Sequence, residues 1–274
     1  MNDSYDHISP DLIYVVENIP GPAEDNVEYE ELLNNYNSQL SCKCECTRNC
    51  LDETCLCIYN SRGRNYTFSD SNNLKTYKII DYKNDKTIFE CNDLCSCNSY
   101  CGNKLVQVGP LEGLIVKPCD IKEKGFGLFT KHPINKGSYI CEYAGEIITK
   151  SQALKRHQMN IMNMKMNFIF CLNEHSNGKV TQTFVDPSTF GSIGRYINHS
   201  CEPNCFILPV RVNTPLPKLA IFSLTEITHN HEITIDYGSK SYNGLNIEVN
   251  VEYGRKGCLC NSDNCKGNLP FDFY

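Results

Sequence analysis

The cysteines of this 274-residue chain have the spacing of metal ligands. Ten of the eighteen lie in two short blocks, namely Cys42, Cys44, Cys46, Cys50, Cys55 and Cys57, then Cys91, Cys95, Cys97 and Cys101. Tetrahedral zinc takes four ligands, so three ions have twelve coordination positions, which nine thiolates fill if three sulfurs each bridge two ions. We therefore predict a cluster of three zinc ions. Either Cys42 with Cys44 or Cys44 with Cys46 can open the pattern, which leaves one sulfur over.

A second group of cysteines, Cys258, Cys260 and Cys265, lies near the end of the chain. Three thiolates leave a tetrahedral zinc one ligand short. The best candidate for the fourth ligand is Cys201, in the stretch RYINHSCEPN at 195–204. This predicts a fourth zinc that pins the C-terminal tail across that stretch. The alternative, a tail with three free thiols, is disfavoured by the tight spacing.

The first residues and the net charge of the chain indicate which compartment and which partners to expect. The first residues contain no basic region followed by an apolar one, and no stretch approaches the length of a membrane span. We therefore expect an intracellular protein without membrane contact, whose cysteines bind metal rather than form disulfides. The net charge of −6 argues against sequence-specific nucleic-acid binding and suits a basic partner, although such a charge is also ordinary for solubility.

Short apolar runs separated by glycines follow residue 105 and predict small curved β-sheets. These runs lie at 114–116, 139–143, 168–171, 219–222 and 233–235. One helix is predicted, from Lys150 to about Met164, with Ser151 as its cap and its methionines in the core. Residues 238–257 are polar and lack a period, which predicts a linker. The expected divisions are an N-terminal segment at 1–41, a cysteine module at 42–104, a catalytic domain at 105–240 and a tail module at 241–274.

Four further motifs lie between the two cysteine groups: KGFG at 124–127, EYAGE at 142–146, RYINHSC at 195–201 and EITIDY at 232–237. In this order, the motifs resemble the SET-class protein lysine methyltransferases, in the histone-modifying branch with a nine-cysteine pre-SET module. The resemblance covers about residues 40 to 268. It implies a mostly β fold with few helices, in which small curved sheets surround a pseudoknot. A zinc-cluster pre-SET module and a zinc-binding post-SET module would flank this SET domain.

The resemblance also implies S-adenosylmethionine as methyl donor. The implied cofactor-binding residues are Lys124, Gly125, Phe126, Gly127, Phe168, Arg195, Asn198, His199 and Tyr237. Glycines would let the backbone approach the cofactor closely, and the arginine, asparagine and histidine have donors and acceptors for its carboxylate, amine and adenine.

Methyl transfer from a sulfonium to an amine requires a neutral, aligned lysine. A free lysine has a pKa near 10.4, which an apolar channel and the sulfonium charge would lower. By resemblance, Tyr237 is the catalytic tyrosine and Tyr143 lines the lysine channel. Asp186 and Asp236 are interpreted as structural.

Three positions depart from the family pattern. Phe168 replaces a usual tyrosine and Phe126 a usual tryptophan. Ile235 stands two residues before Tyr237, where relatives have Phe or Tyr that limits how many methyl groups fit. Because isoleucine has no hydroxyl and less bulk, we expect di- or trimethyl-lysine as the product.

The sequence thus predicts a monomeric enzyme of the nucleus and chromosome that methylates a histone tail, most simply that of histone H3. The main rival is a weak or silent SET module that binds histones without modifying them, and Phe168 and Ile235 are the reasons to keep it. A zinc-finger interaction protein, such as a ubiquitin-ligase adaptor, would leave residues 105–237 unexplained.

Overall fold

A computed structural model describes residues 12–47, 50–68, 77–80, 87–176, 178–238 and 256–270. The linker predicted at 238–257 lies almost wholly outside the described residues. None of the described helices is long and apolar enough to cross a bilayer.

Short strands dominate the described part of the chain. They are β1 (Ile13–Tyr14), β2 (Ile19–Pro20), β3 (Tyr66–Phe68), β4 (Tyr77–Ile79), β5 (Ile88–Phe89), β6 (Leu114–Pro118), β7 (Phe126–Thr130), β8 (Tyr139–Glu142), β9 (Gly145–Ile148), β10 (Phe170–Ser176), β11 (Lys179–Gly191), β12 (Asn198–His199), β13 (Cys205–Arg211), β14 (Lys218–Ser223) and β15 (Thr234–Ile235). The α-helices are α1 (Val27–Asn37), α2 (Leu56–Asn60) and α3 (Lys150–Met162), and 3₁₀ turns span Val106–Val108, Lys122–Lys124 and Ile193–Tyr196.

The strands form small sheets rather than one large one. One sheet has the order β1-β11-β9-β2, with β10 also paired to β11, and another has the order β5-β13-β14-β8. Two-stranded sheets join β3 to β4, β6 to β7 and β12 to β15. Because β12 and β15 are parallel, the chain must cross over between them, and their pairing brings the regions around Asn198 and Ile235 side by side, as the predicted pseudoknot would. The mostly β fold class is confirmed.

Helix α3 begins at Lys150, as predicted, but its cap is Thr149, two residues before the predicted Ser151, so the assignment of Ser151 was wrong. The side chain of Thr149 accepts a hydrogen bond from the backbone N–H of Gln152 at 3.1 Å. The side-chain oxygen of Gln152 accepts one in return from the N–H of Thr149, also at 3.1 Å. This capping box satisfies two backbone donors, which Ser151 inside the first turn cannot do.

Helix α1 lies in the N-terminal segment, for which the sequence analysis predicted no helix. Asn26 caps it by accepting from the N–H of Tyr29 at 2.8 Å. Tyr29 and Leu32 are its buried residues. With so few apolar positions the helical period is weak, and packing against the SET domain stabilises the helix.

The pre-SET region shares its apolar core with the SET domain. Strand β5 pairs with β13 in parallel, and Tyr66, Ile79 and Ile88 pack in one cluster with Phe222. The cysteine cluster is separate, and its buried members are sulfurs and Ile58. Metal binding would therefore supply much of the folding free energy of the cysteine module.

Candidate active site

The two SET motifs meet where β12 lies beside β15. The backbone N–H of Tyr237 donates to Nδ1 of His199 at 3.1 Å, and the two rings lie 5.4 Å apart between centroids. The hydroxyl of Tyr237 donates to the carbonyl of Ile197 at 2.8 Å. The fold therefore brings Asn198 and His199 beside Tyr237, which lies almost forty residues later in the chain.

Burial sets the protonation states at this crossing. Burial, and then the charge of Glu232, raises the pKa of the Tyr237 hydroxyl well above its usual value. Burial lowers the pKa of His199. A neutral imidazole is consistent with the observed geometry, in which Nδ1 of His199 accepts a hydrogen bond. Near neutral pH the site therefore presents a protonated phenol.

The predicted lysine-channel residues share one apolar cluster. Tyr143 and Ile235 are buried in it, and Tyr237 packs against it. Ile235 is only 1% exposed. The hydroxyl of Tyr143 donates to the carbonyl of Phe168 at 2.6 Å. An amine that entered this cluster would lose water, which favours its neutral form.

The KGFG motif forms a turn and the start of β7. Gly125 has a φ of +74°, which disfavours a side chain, and Phe126 is 41% exposed. A Cβ on Gly127 would lie 2.8 Å from Sγ of Cys119 and 2.9 Å from a carboxylate oxygen of Glu232. Glycine at 127 is therefore required by the close approach of these side chains. The carbonyl of Phe126 accepts from the side-chain amide of Asn198 at 3.1 Å, which joins the two predicted cofactor motifs.

Glu232 is central to the site, although the sequence analysis gave it no role. Its carboxylate pairs with the ammonium of Lys124 at 2.5 Å and accepts from the amide of Asn198 at 2.8 Å. The backbone carbonyl of Glu232 also accepts from Asn204 at 2.7 Å. Its place as the first residue of EITIDY was the available signal, but the two partners of its carboxylate, Lys124 and Asn198, are more than thirty residues away in sequence.

Arg195 and Phe168 form a cation–π pair. The guanidinium carbon lies 4.3 Å from the centroid of the Phe168 ring. Nε of Arg195 donates to the carbonyl of Pro187 at 2.9 Å, and this hydrogen bond also holds the guanidinium in place. A guanidinium held in this way suits a carboxylate ligand. Phe168 therefore retains a contact at the site even though it lacks the usual hydroxyl.

A polar cavity of about 260 Å³ lies between the SET motifs and the tail. It is lined by Lys124, His199, Ser200, Glu202, Asn204, His231, Glu232, Thr234, Cys260 and Ser262. Its lining mixes cationic, anionic and neutral groups, and it includes Glu232 together with two partners of that residue, Lys124 and Asn204. Such a cavity suits a ligand with both donors and acceptors.

The two aspartates that the sequence analysis interpreted as structural have local partners. The carboxylate of Asp186 accepts from Arg156 at 2.7 Å, and the same guanidinium nitrogen donates to Glu146 at 2.7 Å. Asp236 accepts from the N–H of Gly238 at 3.0 Å and lies 3.6 Å from Nδ1 of His199.

All ten pre-SET cysteines lie in one cluster. Among the described cysteines of this module there are three groups of four sulfurs. Within each group all four sulfurs lie within 4.8 Å of one another, and Cys44 belongs to all three groups. A zinc tetrahedron with Zn–S bonds of about 2.3 Å has sulfur–sulfur edges of about 3.8 Å. The distances of 3.8 Å between Cys44 and Cys50 and 3.9 Å between Cys44 and Cys91 fit this value. The groups share sulfurs, as bridging thiolates would, although a Cys44 common to all three groups differs from a cluster in which each bridging sulfur joins two ions.

The structure brings both ambiguous cysteines to the edge of this cluster. Cys46 belongs to one four-sulfur group together with Cys44, Cys50 and Cys55. Sγ of Cys42 accepts from the amide of Asn60 at 2.8 Å. Cys42 belongs to none of the three four-sulfur groups.

The tail cysteines and Cys201 form a separate four-sulfur group, with all four sulfurs within 4.8 Å of one another. Sγ of Cys201 lies 3.9 Å from that of Cys258 and accepts from the N–H of Lys266 at 3.4 Å. It also lies 3.4 Å from Nε2 of His199. The tail therefore meets the SET core directly beside the predicted cofactor residues.

Comparisons with known proteins agree with this geometry. A pre-SET motif matches residues 1–104, and a SET domain matches residues 125–238. The rat protein "Histone-lysine N-methyltransferase SETMAR" is 36% identical over 236 residues, which cover 84% of this chain and 72% of the rat protein.

Solved structures give the same result. The methyltransferase domain of human SETMAR superposes with a TM-score of 0.76 at 32% identity, covering 99% of this chain and 93% of that one. The structure of KRYPTONITE in complex with mCHH DNA, H3(1-15) peptide and SAH has a TM-score of 0.69 at 24% identity. It covers 96% of this chain and 48% of KRYPTONITE, and at that identity it shows the fold alone.

Three observations lead to one assignment: the cysteine groups, the contact between the SET motifs, and the sequence identity to relatives over most of the chain. This chain belongs to the SET-domain family of histone-lysine N-methyltransferases.

Proposed function

We propose that this protein transfers methyl groups from S-adenosylmethionine to a lysine of the histone H3 tail and ends at di- or trimethyl-lysine. The observation that carries the proposal is the crossing of β12 and β15. It places His199 and Tyr237 in direct contact, beside the apolar cluster that contains Tyr143 and Ile235.

The residues around the crossing are suited to hold the cofactor. The guanidinium of Arg195 would bind its carboxylate, while the polar cavity beside Lys124 and His199 would accept adenosine. Asn198 and Glu232 are already oriented by each other. When bound, S-adenosylmethionine supplies an electrophilic methyl group on a sulfonium.

The chain's own residues would prepare the lysine. The apolar cluster removes water from the amine and so lowers its pKa. The hydroxyl of Tyr237 stays protonated, because burial raises its pKa, and it is directed at a carbonyl rather than at solvent. The hydroxyl of Tyr143 is likewise held by a carbonyl. Carbonyls and hydroxyls directed in this way can orient an amine for in-line attack.

Ile235 supports the higher methylation states. Its side chain has no hydroxyl that could hold a water molecule against the amine. A methylated amine would therefore keep the freedom to rotate and react again. The competing account is that isoleucine leaves the amine poorly aligned, so that the protein transfers slowly or only binds its target.

The metal content that we propose is four zinc ions per chain, three in the pre-SET cluster and one in the group of Cys201, Cys258, Cys260 and Cys265. The sulfur spacings close to 3.8 Å support this count. The ions would act structurally, since four thiolates leave no open position for a substrate.

The setting that we propose is the nucleus and chromosome, with the protein acting as a monomer on chromatin. The net charge of −6 favours a basic tail as substrate over direct recognition of DNA.

Mass spectrometry tests the proposal. The protein is incubated with S-adenosylmethionine and either recombinant nucleosomes or H3 peptides, and the products are read for site and methyl number. Di- or trimethylation of one H3 lysine is the expected result. Methylation of another protein only would remove histone H3 as substrate, and peptide binding without any transfer would establish the silent-module rival.

A further inference from the structure

The N-terminal segment wraps around the SET domain at the strands that flank Tyr143. Strand β2 pairs with β9 in parallel, and the N–H of Gly21 donates to the carbonyl of Ile147 at 2.9 Å. Helix α1 follows, and the carboxylate of Glu28 accepts from the backbone N–H of Lys150 at 2.6 Å, at the start of α3. This N-terminal strap, residues 12–37, is also held by the pairing of β1 with β11, so it contacts the rest of the fold at several separate places.

One strap residue, Asn18, spans the short stretch that contains Tyr143. Its amide nitrogen donates to the carboxylate of Glu142 at 3.2 Å, and its amide oxygen accepts from the backbone N–H of Gly145 at 3.0 Å. The two contacts lie on either side of Tyr143 in the chain. Asn18 is 8% exposed, and its own carbonyl accepts from the hydroxyl of Tyr36 at 3.1 Å.

The SET domain itself holds the same stretch from other directions. The hydroxyl of Ser192 donates to the carbonyl of Glu142 at 2.6 Å and accepts from the N–H of Ala144 at 3.1 Å. The backbone of Gly194 is so close that a Cβ there would lie 2.6 Å from the carbonyl of Glu142. In addition to these contacts within the SET domain, the side chain of Asn18 bridges Glu142 and Gly145 from the strap.

A second strap contact sets the charge around this bridge. The carboxylate of Glu142 pairs with the ammonium of Lys218 at 2.9 Å, and the same ammonium lies 3.4 Å from the carboxylate of Glu17. The Glu142 side chain is almost fully buried. Its remaining hydrogen-bonding capacity therefore depends on partners such as Asn18, since water has little access.

We propose that Asn18 is a positioning residue for methyl transfer, which fixes Tyr143 in the lysine channel through Glu142 and Gly145. This inference depends on the proposed function. Asn18 touches neither lysine nor cofactor; it holds the backbone on both sides of a channel residue. Because a displacement of about 1 Å can cost about a hundredfold in rate, a loosened Tyr143 would lower turnover and change how well a methylated amine fits.

The test compares Asn18→Ala with Glu28→Ala. The Glu28 variant removes another side-chain contact of the strap without touching residues 142–145, so it is the matched control. Both are measured for thermal unfolding, kcat and KM for an H3 peptide, the ratio of mono-, di- and trimethyl products, and hydrogen exchange of the amides at 143–145. Assays are run well below both unfolding temperatures. Asn18→Asp is included because it keeps the acceptor for Gly145 but places a second carboxylate against the buried carboxylate of Glu142.

We expect Asn18→Ala to lower kcat by about tenfold, to shift the product ratio and to speed exchange at Gly145. Glu28→Ala should keep the parent's kcat and ratio even if it unfolds at a lower temperature. Asn18→Asp should be no more active than Asn18→Ala, because two carboxylates in contact repel each other. Equal kcat and product ratio in Asn18→Ala and Glu28→Ala would overturn the inference and leave a purely structural strap. A parent protein that methylates nothing would instead refute the proposed function, and the exchange data would still show whether Asn18 holds the stretch.

Discussion

The cation–π pair between Phe168 and Arg195 leads to a quantitative prediction about cofactor binding. Phe168→Leu removes the aromatic ring but keeps an apolar side chain of moderate size and the backbone carbonyl that holds Tyr143. The ring centroid lies 4.3 Å from the guanidinium carbon, within the range of a strong contact. Because both side chains are half-buried, the pair should contribute about 1 kcal/mol.

The pair acts on binding by holding the guanidinium in place before the cofactor arrives, so its loss weakens binding by at most about 1 kcal/mol, which corresponds to roughly fivefold. We expect Phe168→Leu to raise the Kd of S-adenosylhomocysteine by about that factor, as measured by calorimetric titration. Phe168→Tyr keeps the ring and restores the hydroxyl usual in the family, so it should bind at least as tightly as the parent.

A double-mutant cycle isolates the pair. In an Arg195→Ala background, Phe168→Leu should have almost no further effect on the Kd, because the cation is already absent. The reasoning is refuted if Phe168→Leu binds as tightly as the parent. It is also refuted if the same fivefold loss persists without Arg195, because the ring would then act on the cofactor by another route.

Three other predictions concern catalysis, product and metal. Tyr237→Phe should abolish nearly all methyl transfer in a labelled-cofactor assay. It should lower the unfolding temperature by only about 2–4 °C, since one hydrogen bond to Ile197 is lost; substantial turnover in this variant would remove Tyr237 from the catalytic role. Ile235→Tyr should shift time-resolved mass spectra toward monomethyl-lysine, with a stability cost of about 1–3 kcal/mol because Ile235 is 1% exposed; a parent that stops at monomethyl contradicts this account. Cys201→Ser should reduce zinc from four ions per chain to three by elemental analysis, while one or two ions in the folded parent would disprove the proposed clusters.

The sequence by itself predicted the zinc ligand sets and was enough to identify the family. Metal coordination depends on residue type and short spacing, and both can be read along the chain, as in Cys258, Cys260 and Cys265. The SET motifs also carry their chemistry locally, so Asn198, His199 and Tyr237 could be named before their contact was known. The apolar runs at 114–116 and 219–222 likewise predicted strands, and the structure has strands there at Leu114–Pro118 and Lys218–Ser223.

Local patterns were less reliable for the helices. The cap of α3 depends on which side chain reaches the backbone, and Thr149 rather than Ser151 does so. Helix α1 has too few apolar positions for a clear period and owes its stability to packing.

Only the tertiary structure decided the contacts that join distant parts of the chain. Glu232 meets Lys124 across 108 residues, and Asn18 meets Glu142 across 124. Such pairs have no spacing that could predict them, because the fold, rather than the local backbone, brings the two side chains together. The same holds for Phe168, whose substitution suggested only a lost hydroxyl until the fold placed its ring against Arg195.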